Sequence, residues 1–220
     1  MLQKHTATPE LLKVLKRLME LPALDNFRLV GGTALSLMKG HRRSDDIDLF
    51  TNQTYGTTDF GAILFRLKEI FPIVKSPAEA FPALQSLRNN DGLKLMIGDE
   101  KAALIKTDIL YWDVEFFNRP LLKEGIRMAS VEEIGAMKLD VISRGGRKKD
   151  FWDLVAILED YPLLHLLDIY EKLYPFLPVE AIFKGLCQFE VAEEMPDPIC
   201  LRNHRWEEIK ERIIKEAANL

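Results

Sequence analysis

Cysteine is scarce in this chain, and its scarcity removes two kinds of protein at once. The 220 residues include only Cys187 and Cys200. They lack metal-type spacing and both fall in the last quarter, so neither a disulfide framework nor a thiolate zinc site is available. They read as reduced thiols of a cytosolic protein. Four scattered histidines offer no zinc constellation either. No apolar run approaches bilayer-spanning length, and the N-terminal stretch MLQKHTATPELLK lacks the apolar core of a signal peptide. The expectation is a cytoplasmic protein with no membrane partner. An excess of positive charge is missing too. The formal net charge is −4, so any contact with nucleic acid must come from a local basic patch. From Tyr161 to Leu220, internal repeats, low-complexity segments and catalytic motifs are absent. At 47% hydrophobic and 29% charged, the composition is that of an ordinary globular chain, long enough for one large domain or two small ones.

What is present concentrates in Leu29 to Phe50, LVGGTALSLMKGHRRSDDIDLF. Phe27 to Val30 read as a short strand. Gly31, Gly32 and Thr33 follow, and Ala34 to Met38 read as a short helix. After the basic loop His41-Arg42-Arg43, the segment Asp46-Ile47-Asp48-Leu49-Phe50 reads as a second strand. Side chains alternate between strand faces, so Asp46 and Asp48 share one face while Ile47 and Leu49 face a core. Two neighbouring carboxylates repel each other unless a cation sits between them. Oxygen donors of this kind suit Mg²⁺, which takes a few carboxylates together with substrate phosphates. Glycine lets backbone N–H groups approach an anion closely, and a helix N-terminus favours negative charge. A phosphate cradle and a metal pair, one short helix apart, make a site for a metal-bound nucleoside triphosphate. The bland alternative is a loop with solvated aspartates.

Gly31-Gly32-Thr33 followed by Asp46-Ile47-Asp48 resembles the signature of the polymerase-β-like nucleotidyltransferases. The wider stretch, GGTAL through HRRSDDIDLF, resembles more narrowly the AbiEii/AbiGii toxin family of bacterial abortive-infection and toxin–antitoxin systems. That resemblance implies two Mg²⁺ ions on Asp46 and Asp48, with Gly31, Gly32 and Thr33 holding the β- and γ-phosphates. It also implies a third carboxylate on a later strand. The strand-like run Ala102 to Tyr111 offers Asp108 for this role. Asp108 can equally be an exposed residue of an edge strand, and Asp113 and Glu115 are the fallback ligands.

The rest of the chain supplies helices and turns. Thr8 and Pro9 open a helix with Leu11, Leu12, Val14, Leu15, Leu18 and Met19 at helical spacing. Asp59 to Ile70 is amphipathic. Gln85 to Arg88, a turn at Asn89-Asn90-Asp91-Gly92, and Leu93 to Ile97 read as a hairpin. Ser130 with Glu133 forms a capping box that starts a helix to about Ser143. Ile134, Met137 and Val141 make its buried stripe, and Lys138 lies on the same stripe. A second helix from about Lys148 puts Asp150 and Asp153 on the face of Leu154 and Ile157. The residues alone favour a structural ion pair between the two helices. The family resemblance implies more. Lys138-Leu139 with Arg144, and Lys149-Asp150-Phe151-Trp152-Asp153-Leu154, match motifs that lie beside the nucleotide in AbiEii-like proteins. Lys138 would then neutralise triphosphate charge, with Asp153 orienting it. Position 149 is lysine where the family has arginine, so the bidentate fork is lost there. His165 to Leu173, Val179 to Phe189 and His204 to Ala218 read as further helices, parted by prolines.

The expected fold is α/β (α+β). A polymerase-β-like nucleotidyltransferase domain with a mixed sheet flanked by helices spans residues 1–125, and a helical domain spans 126–220. The expected activity is transfer of a nucleoside monophosphate from a nucleoside triphosphate to an acceptor hydroxyl. The family implies RNA as acceptor, most plausibly a tRNA 3′ end, and a cognate antitoxin as partner. Basic residues at His41-Arg42-Arg43 and at Arg144, Arg147, Lys148 and Lys149 would flank the mouth of such a site. Transfer to a small molecule or a protein side chain, γ-phosphate transfer, and an inactive binding module are the competing readings.

Overall fold

The computed structural model describes residues 1–76, 92–99 and 103–219. Helix α1 (Pro9–Met19) starts where expected: the Thr8 hydroxyl accepts the Leu11 N–H, and Pro9 takes the first helical position. Strand β1 (Arg28–Leu29), helix α2 (Gly31–Lys39) and strand β2 (Ile47–Thr51) follow. Asp59 caps α3 (Phe60–Ile70) by accepting the Ala62 N–H. Then come β3 (Ile73–Lys75), β4 (Gly92–Gly98), β5 (Ile105–Tyr111), β6 (Leu121–Lys123) and β7 (Ile126–Met128). The expected hairpin has its second arm in β4; its first arm and its turn at 89–91 lie outside the described residues. The expected first strand is shorter than Phe27 to Val30, because Val30 is already the N-cap of α2.

Among the described residues, seven strands form one mixed sheet in the order β3-β4-β5-β2-β1-β7-β6. Strand β2 lies in its middle, parallel to β5 and antiparallel to β1. Alternation decides the two faces. Ile47, Leu49 and Thr51 of β2, with Ile105, Thr107 and Ile109 of β5, are buried, and α1 packs against β4, β5 and β7. Asp48, Phe50, Lys106 and Asp108 alternate with them and line a cleft on the opposite face. The expected division at 125/126 falls inside the β6–β7 hairpin, so the sheet runs on to Met128.

The helical half begins with the Ser130–Glu133 capping box, which is formed as expected. Helix α4 (Val131–Ser143) is its hub, packed against α5 (Lys148–Ile157), α6 (Leu163–Leu173) and α7 (Glu180–Cys187). The single helix expected over Val179 to Phe189 breaks after Cys187, and α8 (Glu190–Glu193) follows. The last helix is α9 (Trp206–Ala218). Its Trp206 ring stacks on Trp152 of α5 at 5.5 Å, so the C-terminal segment covers α5. Helix α2 touches both α4 and α5, which brings the glycine turn of the sheet half against the helical half. No helix among the described residues is long and apolar enough to cross a membrane.

Candidate active site

A cleft of about 1130 Å³ lies between the sheet and the helices. One wall holds three carboxylates. Strands β2 and β5 run parallel with Asp48 opposite Asp108, so both side chains leave the sheet on the cleft face. Asp46 stands just before β2 rather than within it, and it lines the same cleft. Burial pushes the Asp48 carboxyl above the usual carboxylate range; Lys106 works against this, while Asp108 and Asp46 add to it. The buried Asp108 Oδ1 has no hydrogen-bond partner, and Asp108 Oδ2 accepts from Lys106 Nζ at 2.8 Å. Lys149, at the position where arginine is usual, comes within 3.6 Å of Asp46 Oδ2. Among the described residues, no three acidic, histidine or cysteine side chains are drawn together as a finished cation cage. The Lys106 ammonium partly neutralises the cluster instead.

The glycine turn forms the floor. Gly31 has φ +67°, a left-handed conformation, and a Cβ there would lie 3.1 Å from Asp48 Oδ2. The turn therefore places the start of α2 against the acidic strand. Gly31 and Gly32 line the cleft. Thr33, expected beside them, does not line it. Its buried hydroxyl bonds to Ser44 Oγ at 2.8 Å and donates to the backbone oxygen of Asp46. Thr33 thus fixes the segment that carries Asp46.

The opposite wall comes from α4 and α5. Lys138 is buried, with its ammonium 2.6 Å from Asp150 Oδ1 and 2.6 Å from Asp153 Oδ2. Burial opposes its charge, yet Asp153 and Asp150 hold its pKa above the ordinary lysine value. Asp153 is fully buried and gathers two more donors. Arg42 grips it with two bonds, Nε to Oδ1 at 2.6 Å and Nη2 to Oδ2 at 2.8 Å, and His41 Nε2 lies 2.7 Å from Oδ1. Burial raises the energy of that carboxylate, but Arg42, Lys138 and His41 hold its pKa well below the usual range. Asp150 also caps α5, accepting the Arg147 N–H at 3.0 Å. The inward lysine and aspartates read from the sequence do meet. The stripe itself is shifted: Met137 and Val141 are half-buried and line the cleft, Met137 also packing against the core.

The expected basic mouth needs correction at its first run. His41 and Arg42 are buried against Asp153, Arg42 still lining the cleft, and only Arg43 of the three is exposed. Of the second run, Arg144 and Arg147 are largely exposed and line the cleft, whereas Lys148 is mostly covered and pairs with Asp197. Arg144 is itself paired with Asp140 one turn back. Sequence reading passed over two features. Lys106 sits two residues before Asp108, so period-two alternation alone places both on one face. The other is the cleft lip after α6, where Pro175, Phe176 and Leu177 line the opening and Phe176 is almost fully exposed.

A mixed sheet whose central parallel strands present acids beside a glycine-led helix is the frame of a nucleotidyltransferase. The profile of the family described as "Nucleotidyl transferase AbiEii toxin, Type IV TA system" matches residues 13–216, and the chain belongs to that family of transferases. An uncharacterized protein of Aquifex aeolicus (strain VF5) is 28% identical over 217 residues, covering 93% of this chain and 94% of its own. Two solved structures share the fold. MenT4, a nucleotidyltransferase toxin of Mycobacterium tuberculosis H37Rv, superposes with a TM-score of 0.57 at 15% identity, over 94% of this chain and 84% of its own. A candidate nucleotidyltransferase from H. pylori gives 0.54 at 20% identity, over 95% and 91%.

Proposed function

We propose that this chain moves a nucleoside monophosphate from a nucleoside triphosphate to a hydroxyl at the 3′ end of an RNA. The registered Asp48–Asp108 pair at the glycine turn carries the reading. The carboxylates suit Mg²⁺: the donors are all oxygen, Asp48 is crowded by like charge, and the buried Asp108 Oδ1 lacks a partner. Asp46, Asp48 and Asp108 would hold the metal, which when bound offsets triphosphate charge and eases deprotonation of the attacking hydroxyl. The chain's own residues do the rest. Gly31 and Gly32 offer backbone N–H groups at the start of α2 to the β- and γ-phosphates. Asp108 takes part in removing the hydroxyl proton. The acceptor oxygen bonds to the α-phosphorus, the bond to the β-phosphate breaks, and pyrophosphate leaves. Lys138, Arg144 and Lys149 add positive charge on the far wall. Positioning and charge stabilisation supply the rate, with no covalent enzyme intermediate.

The acceptor side is supported by the lip after α6. Phe176 presents a bare ring, and both it and Lys172 line the cleft. A ring for stacking and an ammonium for phosphate are the two elements that single-stranded RNA uses. The toxin family also supports a cognate antitoxin as a partner. Incubation with each α-labelled triphosphate, total RNA and Mg²⁺, followed by gel analysis, tests the reading. Label should enter a discrete RNA band with equimolar pyrophosphate. Label entering only protein or small molecules would replace RNA as the acceptor.

A further inference from the structure

We propose that Arg42 is a positioning residue for the nucleotide site, and that the second glycine of the Gly31-Gly32 turn exists to admit it. The inference rests on the nucleotidyl-transfer reading of the cleft. A Cβ built at Gly32 would overlap Arg42 Nη2, and it would lie 3.2 Å from Arg42 Cζ and 3.4 Å from Asp153 Oδ2. The guanidinium therefore points its Nη2 into the space beside the turn where a side chain at position 32 would lie. The same Nε–Nη2 edge holds Asp153 through two bonds. Asp153 in turn holds Lys138 at 2.6 Å. One unbroken chain of contacts thus runs from the glycine turn through Arg42 and Asp153 to α5 and α4.

The two glycines do different work. Gly31 is required by its left-handed backbone and by Asp48, on the acidic side of the turn. Gly32 is required on the opposite side, by the guanidinium. A planar five-donor fork suits this place because it can press on the backbone while gripping both carboxylate oxygens; a lysine cannot do both. Arg42 and Asp153 are both almost completely buried, so water does not compete for the pair. The arrangement sets the height of the first turn of α2, where Gly31 and Gly32 line the cleft. Loss of Arg42 would let that turn shift relative to the carboxylates on β2, and geometry of this kind controls rate steeply.

A double-mutant cycle on Gly32→Ala and Arg42→Ala in the full chain tests this, read by thermal or denaturant unfolding and by nucleotide KM and kcat in the presence of Mg²⁺. Unfolding reads the contact itself and does not depend on the activity assigned to the cleft. Gly32→Ala should destabilise the parent and do so much less when Arg42 is already alanine. In activity, Gly32→Ala and Arg42→Lys should each cost about tenfold or more, with nucleotide KM rising and kcat falling, and the two changes should be far from multiplicative when combined. Where Arg42→Ala fails to fold, Arg42→Lys serves as the second arm. If Gly32→Ala costs the same in both backgrounds, the glycine serves the anion directly and the proposal is overturned. A coupled loss of stability with unchanged KM and kcat would leave Arg42 a structural residue and overturn the positioning role.

Discussion

Asp48 on β2 and Asp108 on β5 face each other at one register point of a parallel strand pair, and the buried Asp108 Oδ1 has no partner. Parallel pairing places equivalent side chains on one face, so this single register brings together two acids that lie far apart in sequence. The arrangement is unfavourable in the free protein, because Asp48 is both partly buried and crowded by Asp108 and Asp46. A Mg²⁺ ion held there, as proposed, would offset the repulsion.

Neutralising one acid should therefore separate stability from activity. Asp48→Asn should raise the melting temperature measured without metal, by about 2–4 °C for each kcal/mol of repulsion relieved in a chain of this size. The same change should lower nucleotidyl transfer by about 100-fold or more. Mg²⁺ should stabilise the parent protein and have little effect on Asp48→Asn or Asp108→Asn. Melting curves across a Mg²⁺ titration check this.

The Asp153 centre should respond in the opposite sense. Asp153→Ala strands Arg42 and Lys138 as buried charges lacking their shared carboxylate. A loss of about 3–5 kcal/mol is expected for breaking a buried pair in this way. Denaturant unfolding measures it. Lys138→Met should cost less, since Asp153 keeps Arg42 and His41.

The pH dependence of stability follows from His41. Burial lowers its pKa below the ordinary 6.5, even though the Asp153 hydrogen bond and charge work the other way. Between pH 6.5 and that lowered value, the unfolded chain binds a proton that the folded chain refuses. Stability should then fall as pH falls through this window, by at most about 1.4 kcal/mol per pH unit for one group. His41→Asn should flatten that part of the curve. Asp153, whose pKa is depressed, contributes stability that is present above the ordinary carboxylate value and is lost at lower pH. Urea melts at half-unit pH intervals resolve the two windows.

The lip after α6 predicts an effect confined to the acceptor. Stacking of a base on an aromatic ring is worth about 1–3 kcal/mol. Phe176→Ala should raise the KM for RNA by roughly 5- to 150-fold at that magnitude, and leave the KM for nucleotide unchanged. Steady-state kinetics with each substrate varied in turn checks it.

The glycine turn and the first acids were legible in the sequence because they lie in one short stretch where local alternation and glycine chemistry suffice. Asp108 was legible only as one of several acids, since strand register is a property of distant pairing. The bonds of Thr33 and Arg42 were hidden from the sequence for the same physical reason. A hydroxyl beside two glycines looks free for phosphate, and an arginine in a loop looks solvated. Whether either is committed elsewhere depends on what folds against it. The partner of Arg42 stands 111 residues further along the chain. Phe176 lies in a proline-bounded loop with no periodicity to mark its direction.

The central claim is that the Asp48–Asp108 face of the cleft carries out Mg²⁺-dependent nucleotidyl transfer. The most direct test uses α-labelled nucleoside triphosphates with RNA, comparing the parent protein with Asp48→Asn and measuring both label in the acceptor and the phosphorus product released. Label and pyrophosphate should appear in equal amounts, only with Mg²⁺ and only with Asp48 intact. Near-parent turnover by Asp48→Asn, or release of nucleoside diphosphate in place of pyrophosphate, would contradict the account.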